Sequence, residues 1–145
     1  MPKLFHTIQT RLIALIVCCL PFAASAQQLN QTDWDGEWLA EGTLFRIGVK
    51  VEDGVLKVSQ LESMGQVWNN EDGEIDGNVA KVKVIYAGAS GIIQAELINA
   101  DTAVLFAASC QPDFMVVCVL SKDRQAVFRK VNSPALKSDQ LSVDN

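Results

Sequence analysis

The chain has 145 residues, 49% of them hydrophobic and 20% charged, with 17 acidic side chains against 12 basic ones and a single histidine. That length suits one domain with a core of its own. The formal net charge of −5 argues against nucleic acid as a partner, because phosphate binding needs a clustered cationic surface.

The first 26 residues stand apart. Lys3 and Arg11 make a basic start, Leu12 to Leu20 is an apolar run, Pro21 follows, and Ala24-Ser25-Ala26 offers a small-residue cleavage site. That order reads as a secretory signal peptide cut after Ala26. The run is about half of the roughly 20 apolar residues a spanning helix needs. No small residue precedes Cys18 or Cys19, which argues against a lipidated cysteine. The expected location is the periplasm or beyond, with no membrane span once the signal is removed. Cleavage also removes His6, the only histidine, and leaves Cys110 and Cys118 as the remaining cysteines. An even pair in an oxidising compartment favours a disulfide, with two buried thiols as the alternative. Ten basic residues then face 17 acidic ones.

The expected organisation is a signal peptide over 1–26, an N-terminal segment over 27–35, a β domain over 36–131 and a disordered tail over 132–145. Phe45, Ile47, Val49 and Val51 alternate with polar residues or glycine. Asp53-Gly54 then separates them from Leu56 and Val58, a strong hairpin signal. This register sets Val51 opposite Leu56, Val49 opposite Val58 and Lys50 opposite Lys57. A turn at Gly77-Asn78 sets Ile75 opposite Ala80 and Glu74 opposite Lys81. From Val79 to Ala87, Ala80, Val82, Val84 and Tyr86 face inward. Gly88-Ala89-Ser90-Gly91 is read as a turn, with strands over Ile92–Ile98, Thr102–Ala108, Phe114–Leu120 and Arg124–Val131. Leu61 to Trp68 fits a helix or a bent strand equally. Short strands about ten residues apart, joined by tight turns, predict an all-β, antiparallel up-and-down barrel of about eight strands.

Gly36-Glu37-Trp38, just before the first alternating strand, resembles the G-x-W motif of the calycins. That group includes lipocalins, fatty-acid-binding proteins, avidins and bacterial periplasmic metalloprotease inhibitors. The resemblance implies that Gly36 permits a tight approach to the first strand and that Trp38 lies across one barrel end. It also implies that a basic residue of the last strand packs on the indole, and Arg129 is the candidate. The alternative is that Trp34 and Trp38 pack on the core of a different β-sandwich.

Within the acidic run from Asn69 to Gly77, Asp72, Glu74 and Asp76 followed by Gly77 mimic the first half of a calcium loop. Its twelfth position would be Lys83 rather than a bidentate glutamate, so a solvated hairpin tip is preferred and no metal is expected. Without histidine after Ala26, histidine-dependent catalysis is excluded. No carboxylate pair stands out, so no enzyme and no cofactor is predicted. Cys110-Gln111-Pro112-Asp113-Phe114-Met115-Val116-Val117-Cys118 leaves two conformations open. A tight turn at Pro112-Asp113 separates the cysteines, whereas a disulfide clamps a broad loop tipped by Phe114 and Met115, which is either a contact surface or a bulge that restores the register and buries Phe114.

Two function classes follow. One is a small apolar or amphipathic ligand held in the barrel, with Trp68, Tyr86 and Phe106 as lining residues and Ala80, Ala95, Ala103 and Ala107 leaving room. The other is a periplasmic protein-binding module such as a protease or lysozyme inhibitor, whose segment Gln27 to Thr32 would enter an enzyme cleft, as the resemblance implies.

Overall fold

The computed structural model describes residues 29–132. The signal-peptide and tail assignments therefore lie outside the described residues, apart from Asn132. Strand β1 is Gly36–Ala40, β2 Arg46–Glu52 and β3 Val55–Glu62. Asp53 and Gly54, with φ of 52° and 78°, form the β2–β3 turn. Two positive φ angles give the turn a twist that matches its flanking strands. Val51 pairs with Leu56, Lys50 with Lys57 and Val49 with Val58, the register expected from the alternation. Short strands β4 (Asn69–Asn70) and β5 (Glu74–Asp76) precede β6 (Val79–Tyr86). Ile75 pairs with Ala80 and Glu74 with Lys81, again as expected.

The sheet continues through β7 (Ala89–Asn99), β8 (Thr102–Gln111) and β9 (Gln125–Lys130). Its order is β3-β2-β1-β9-β8-β7-β6-β4, with β5 also on β6, and the pairings are antiparallel. Counting β4 and β5 as two pieces of one stave, this is a nearly closed eight-stave barrel. The interior alternates as a half-buried strand requires: Trp38, Ala40, Ile47, Val49, Val82 and Phe128 are buried, while Lys50, Lys81 and Lys83 are exposed. Phe45 meets Phe128 edge-on, with centroids 6.2 Å apart.

Closure between β3 and the β4–β5 stave rests on one backbone bridge. Leu56 and Gly73 exchange hydrogen bonds of 3.0 and 2.8 Å. Beyond the bridge, side chains replace the ladder. Asn70 Nδ2 donates to the Val58 carbonyl at 3.3 Å, and the Gln60 side chain bonds both the carbonyl and the N–H of Trp68. Lys57 pairs with Asp72 on the outer surface.

Three local expectations are corrected. Phe114–Leu120 is not a strand: its second half forms a short helix, α1 (Val116–Ser121). Both edges of β8 are already taken by β7 and β9, so the intervening apolar segment has no strand to pair with. A helix satisfies its backbone internally. The turn after β6 is Ala87-Gly88, and Ala89, Ser90 and Gly91 already belong to β7. Leu61 to Trp68 is neither helix nor one bent strand. Leu61 and Glu62 end β3, and Met64-Gly65, both at positive φ, turn the chain back toward β4.

Candidate functional site

One end of the barrel is closed by the Asp33–Trp38 stretch. Gln31–Trp34 is a single 3-10 turn, pinned where Asn30 N–H donates to Asp33 Oδ2 at 2.7 Å. It delivers Trp34, 3% exposed, into the core beside Trp38, 2% exposed. Trp38 Nε1 donates to the Trp34 backbone carbonyl at 2.9 Å, so the Trp38 indole is tied to the 3-10 turn. Asp35 Oδ1 accepts from the Val51 N–H at 2.7 Å and ties the turn to β2. Between them Gly36 has φ of +139°, and a Cβ there would lie 3.4 Å from Lys130 Cδ. A side chain would be strained in the backbone and crowded by its neighbour.

The cation beside Trp38 is Lys130, not Arg129. Lys130 is the cross-strand partner of Trp38, and its Nζ sits 5.0 Å from the ring centroid while donating to the Asp33 carbonyl at 2.6 Å. Arg129 pairs with Leu39 on the opposite face, donates to Thr102 Oγ1 at 2.8 Å and reaches Glu41 at 3.8 Å. Strand alternation decides this: Phe128 points inward, so Lys130 does and Arg129 does not.

Above the plug the barrel is hollow. A cavity of about 530 Å³ extends from Trp34 and Trp38 to the opposite end. Its walls are almost wholly apolar. Trp68, Tyr86 and Phe106 all line it, as do Ala95, Ala103 and Ala107. Ala80 is buried in the core but is not part of the wall. The remaining polar lining sits mainly near the mouth, on Gln66, Ser90, Ser109, Ser121, Arg124 and Gln125. Arg124 is the one charged side chain of the lining, and it has no ion pair among the described residues. Tyr86 donates its hydroxyl to Gln66 Oε1, joining β6 to the β3–β4 loop at the mouth.

The helix α1 lies at this opening. Cys118 is disulfide-bonded to Cys110, with Cα atoms 5.3 Å apart, so the clamped-loop conformation prevails over the tight turn. Val117 and Ser121, one helical turn apart, line the cavity. Phe114 is 76% exposed, whereas Met115 is half-buried with its Cε near Gly88. The tip predicted as a contact surface thus exposes one of its two side chains.

Several lining residues escaped the sequence reading. Phe45 was legible in principle, since it shares the inward phase of Ile47 and Val49. Val117, Ser121 and Arg124 were not, because their place depends on the disulfide turning the chain over the mouth. Two buried donors, Trp34 Nε1 and Trp68 Nε1, have no hydrogen-bond partner. Among the described residues no group of three or more His, Cys, Asp or Glu side chains converges as a metal site. In the acidic hairpin, Asp72 pairs with Lys57 and Glu71 with Lys83. No described helix is long and apolar enough to cross a membrane.

Comparison with protein-family models, characterised proteins and solved structures finds no match to this chain.

Proposed function

We propose that this chain is an exported, calycin-like barrel that binds a small apolar or amphipathic molecule in its interior and performs no catalysis. The observation that carries the reading is the cavity: about 530 Å³, walled by apolar side chains, closed at one end by Trp34 and Trp38 and open at the other. Small-molecule pockets run from roughly 300 to 1,000 Å³, with mainly hydrophobic walls and a few polar groups that set orientation. Here those groups gather toward the mouth, so an amphipathic guest enters tail first and keeps its polar end beside Arg124 and Gln125.

The alternative of a protease or lysozyme inhibitor requires a free arm ahead of the barrel. Of its Gln27 to Thr32, the described part is engaged: Leu29 packs on the core, Asn30 bonds Asp33, and Gln31 and Thr32 form the 3-10 turn. That arrangement favours the carrier.

The test is titration with a fluorescent fatty-acid analogue whose emission rises in apolar surroundings. The expected result is saturable, one-to-one enhancement that Ala95→Trp or Ala107→Trp abolishes by filling the cavity while the fold persists by circular dichroism. No saturable enhancement, or enhancement untouched in both folded variants, would overturn the carrier reading.

A further inference from the structure

The exposed large apolar side chains are not scattered. Among the described residues every one except Ile98 lies toward the open end. Leu44 in the β1–β2 loop is 72% exposed and Val67 in the β3–β4 loop 77%. Phe114 precedes α1, and Val116, Val119 and Leu120 lie at positions i, i+3 and i+4 on its solvent-facing side. That spacing makes one apolar stripe. The inner side of the same helix, through Val117, faces the cavity. An isolated exposed apolar residue needs no explanation, but a set gathered around one end of the barrel, here called the ring, marks a contact surface.

The geometry points to a lipid bilayer as the occupant of this ring, with the barrel standing mouth-down on the membrane surface. Three observations select a bilayer over a protein. The ring is assembled from three separate loops around the open mouth of an apolar cavity, whose few polar groups gather at that mouth. A bilayer covers such a ring while leaving the cavity continuous with an apolar phase, whereas a protein seated there would seal it. Charge is arranged to match. At this end Glu41, Glu62, Asp113 and Asp123 are set against Lys122 and Arg124, while Arg46 is paired with Glu37 of β1, leaving a small acidic excess. The main acidic excess lies at the closed end, with Asp33, Glu52, Asp53, Asp76 and Asp101 around the plug and its turns, while along the walls Lys50, Lys57, Lys81 and Lys83 balance Glu71, Asp72, Glu74 and Glu96. A weakly charged apolar end opposite a strongly acidic one fits a zwitterionic surface and keeps the acidic end away from it. Leu44, Val67, Phe114, Val116, Val119 and Leu120 do not line the cavity, so this inference can fail or hold apart from the carrier reading.

The test is flotation with phosphatidylcholine vesicles, using the chain beginning at Gln27, which keeps every described residue and lacks the apolar leader. The expected result is cofloating protein that persists at 0.5 M salt, because the contact is apolar. Phe114→Ser with Leu120→Ser should lower partitioning by about tenfold, the effect of removing two partly inserted apolar side chains. Should that variant misfold, Leu44→Ser with Val67→Ser probes the same ring from two other loops. The inference is overturned if the parent chain stays with the aqueous fraction, or if folded variants at both sites float as well as the parent. A salt-sensitive interaction would also overturn it. So would a dimer by sedimentation that these substitutions dissolve without any vesicle binding.

Discussion

Lys130 lies against the face of Trp38, its Nζ 5.0 Å from the ring centroid and 2.6 Å from the Asp33 carbonyl oxygen. One ammonium thus joins the last strand, the first strand and the 3-10 turn that plugs the barrel. The contact is part-buried, so the cation–π attraction and the charge-assisted hydrogen bond are both partly desolvated. They contribute on the order of 2–3 kcal/mol together. Lys130→Ala should lower the urea-unfolding free energy by about that amount. Arg129→Ala, which removes only a bond to Thr102 and a long contact to Glu41, should cost under about 1 kcal/mol. Equal losses in the two variants would show that Lys130 has no special part in closure.

The assignment of that cation also shows what the sequence could and could not yield. Hairpins at Asp53-Gly54 and Gly77-Asn78 were legible to the register, since alternation and turn chemistry specify the same pairing. Period-two counting from Phe128 would equally have picked Lys130, so the choice of Arg129 neglected a signal that was present. Helix α1 is different. Its Val-Val-Cys-Val-Leu run has every local mark of a strand, and only the occupied edges of β8 and the bond to Cys110 exclude one. The hollow interior was foreshadowed by inward alanines, but a cavity depends on the shape of the whole wall, which no local pattern encodes.

At the seam, Gly73 bridges to Leu56 where β3 meets the β4–β5 stave. A Cβ on Gly73 would lie 2.7 Å from Val82 Cγ2 and 3.1 Å from the Lys81 carbonyl oxygen. Backbone on one side and a buried β-branched side chain on the other leave little room to yield. Gly73→Ala should therefore destabilise by about 1–3 kcal/mol, as overpacking does. Hydrogen exchange should quicken first at the Leu56 and Gly73 amides. An unchanged unfolding midpoint would mean that the seam is loose enough to absorb a methyl group.

Arg124 at the cavity mouth gives the proposed carrier a discriminating test. Arg124 is an exposed residue, so solvent screens its attraction for an anionic head group and the pair contributes only about 0.2–1 kcal/mol. Arg124→Gln should weaken binding of a long-chain carboxylate by about 1.4- to fivefold. The matching alcohol, which lacks the charge, should bind the variant as it binds the parent chain. Competition against the same fluorescent fatty-acid analogue measures both. A variant that loses both ligands equally would place Arg124 in the shape of the mouth and not in recognition of charge.

The disulfide joins Cys110 at the end of β8 to Cys118 in α1, a sequence separation of eight. Closing so short a loop restricts the unfolded chain by about 2.5 kcal/mol in the entropy model. Replacing both cysteines by serine should lower stability by about that amount, read from urea unfolding. A second effect separates anchoring of the mouth from stability in general. Val117 and Ser121 line the cavity only while α1 is held over its opening, so the doubly substituted chain should release a bound fatty-acid analogue faster even far from its unfolding midpoint. Gly73→Ala, with a comparable predicted loss of stability far from the mouth, should leave that release rate unchanged. If both variants release the analogue equally fast, dissociation follows global opening of the barrel, and α1 does not govern access to the cavity.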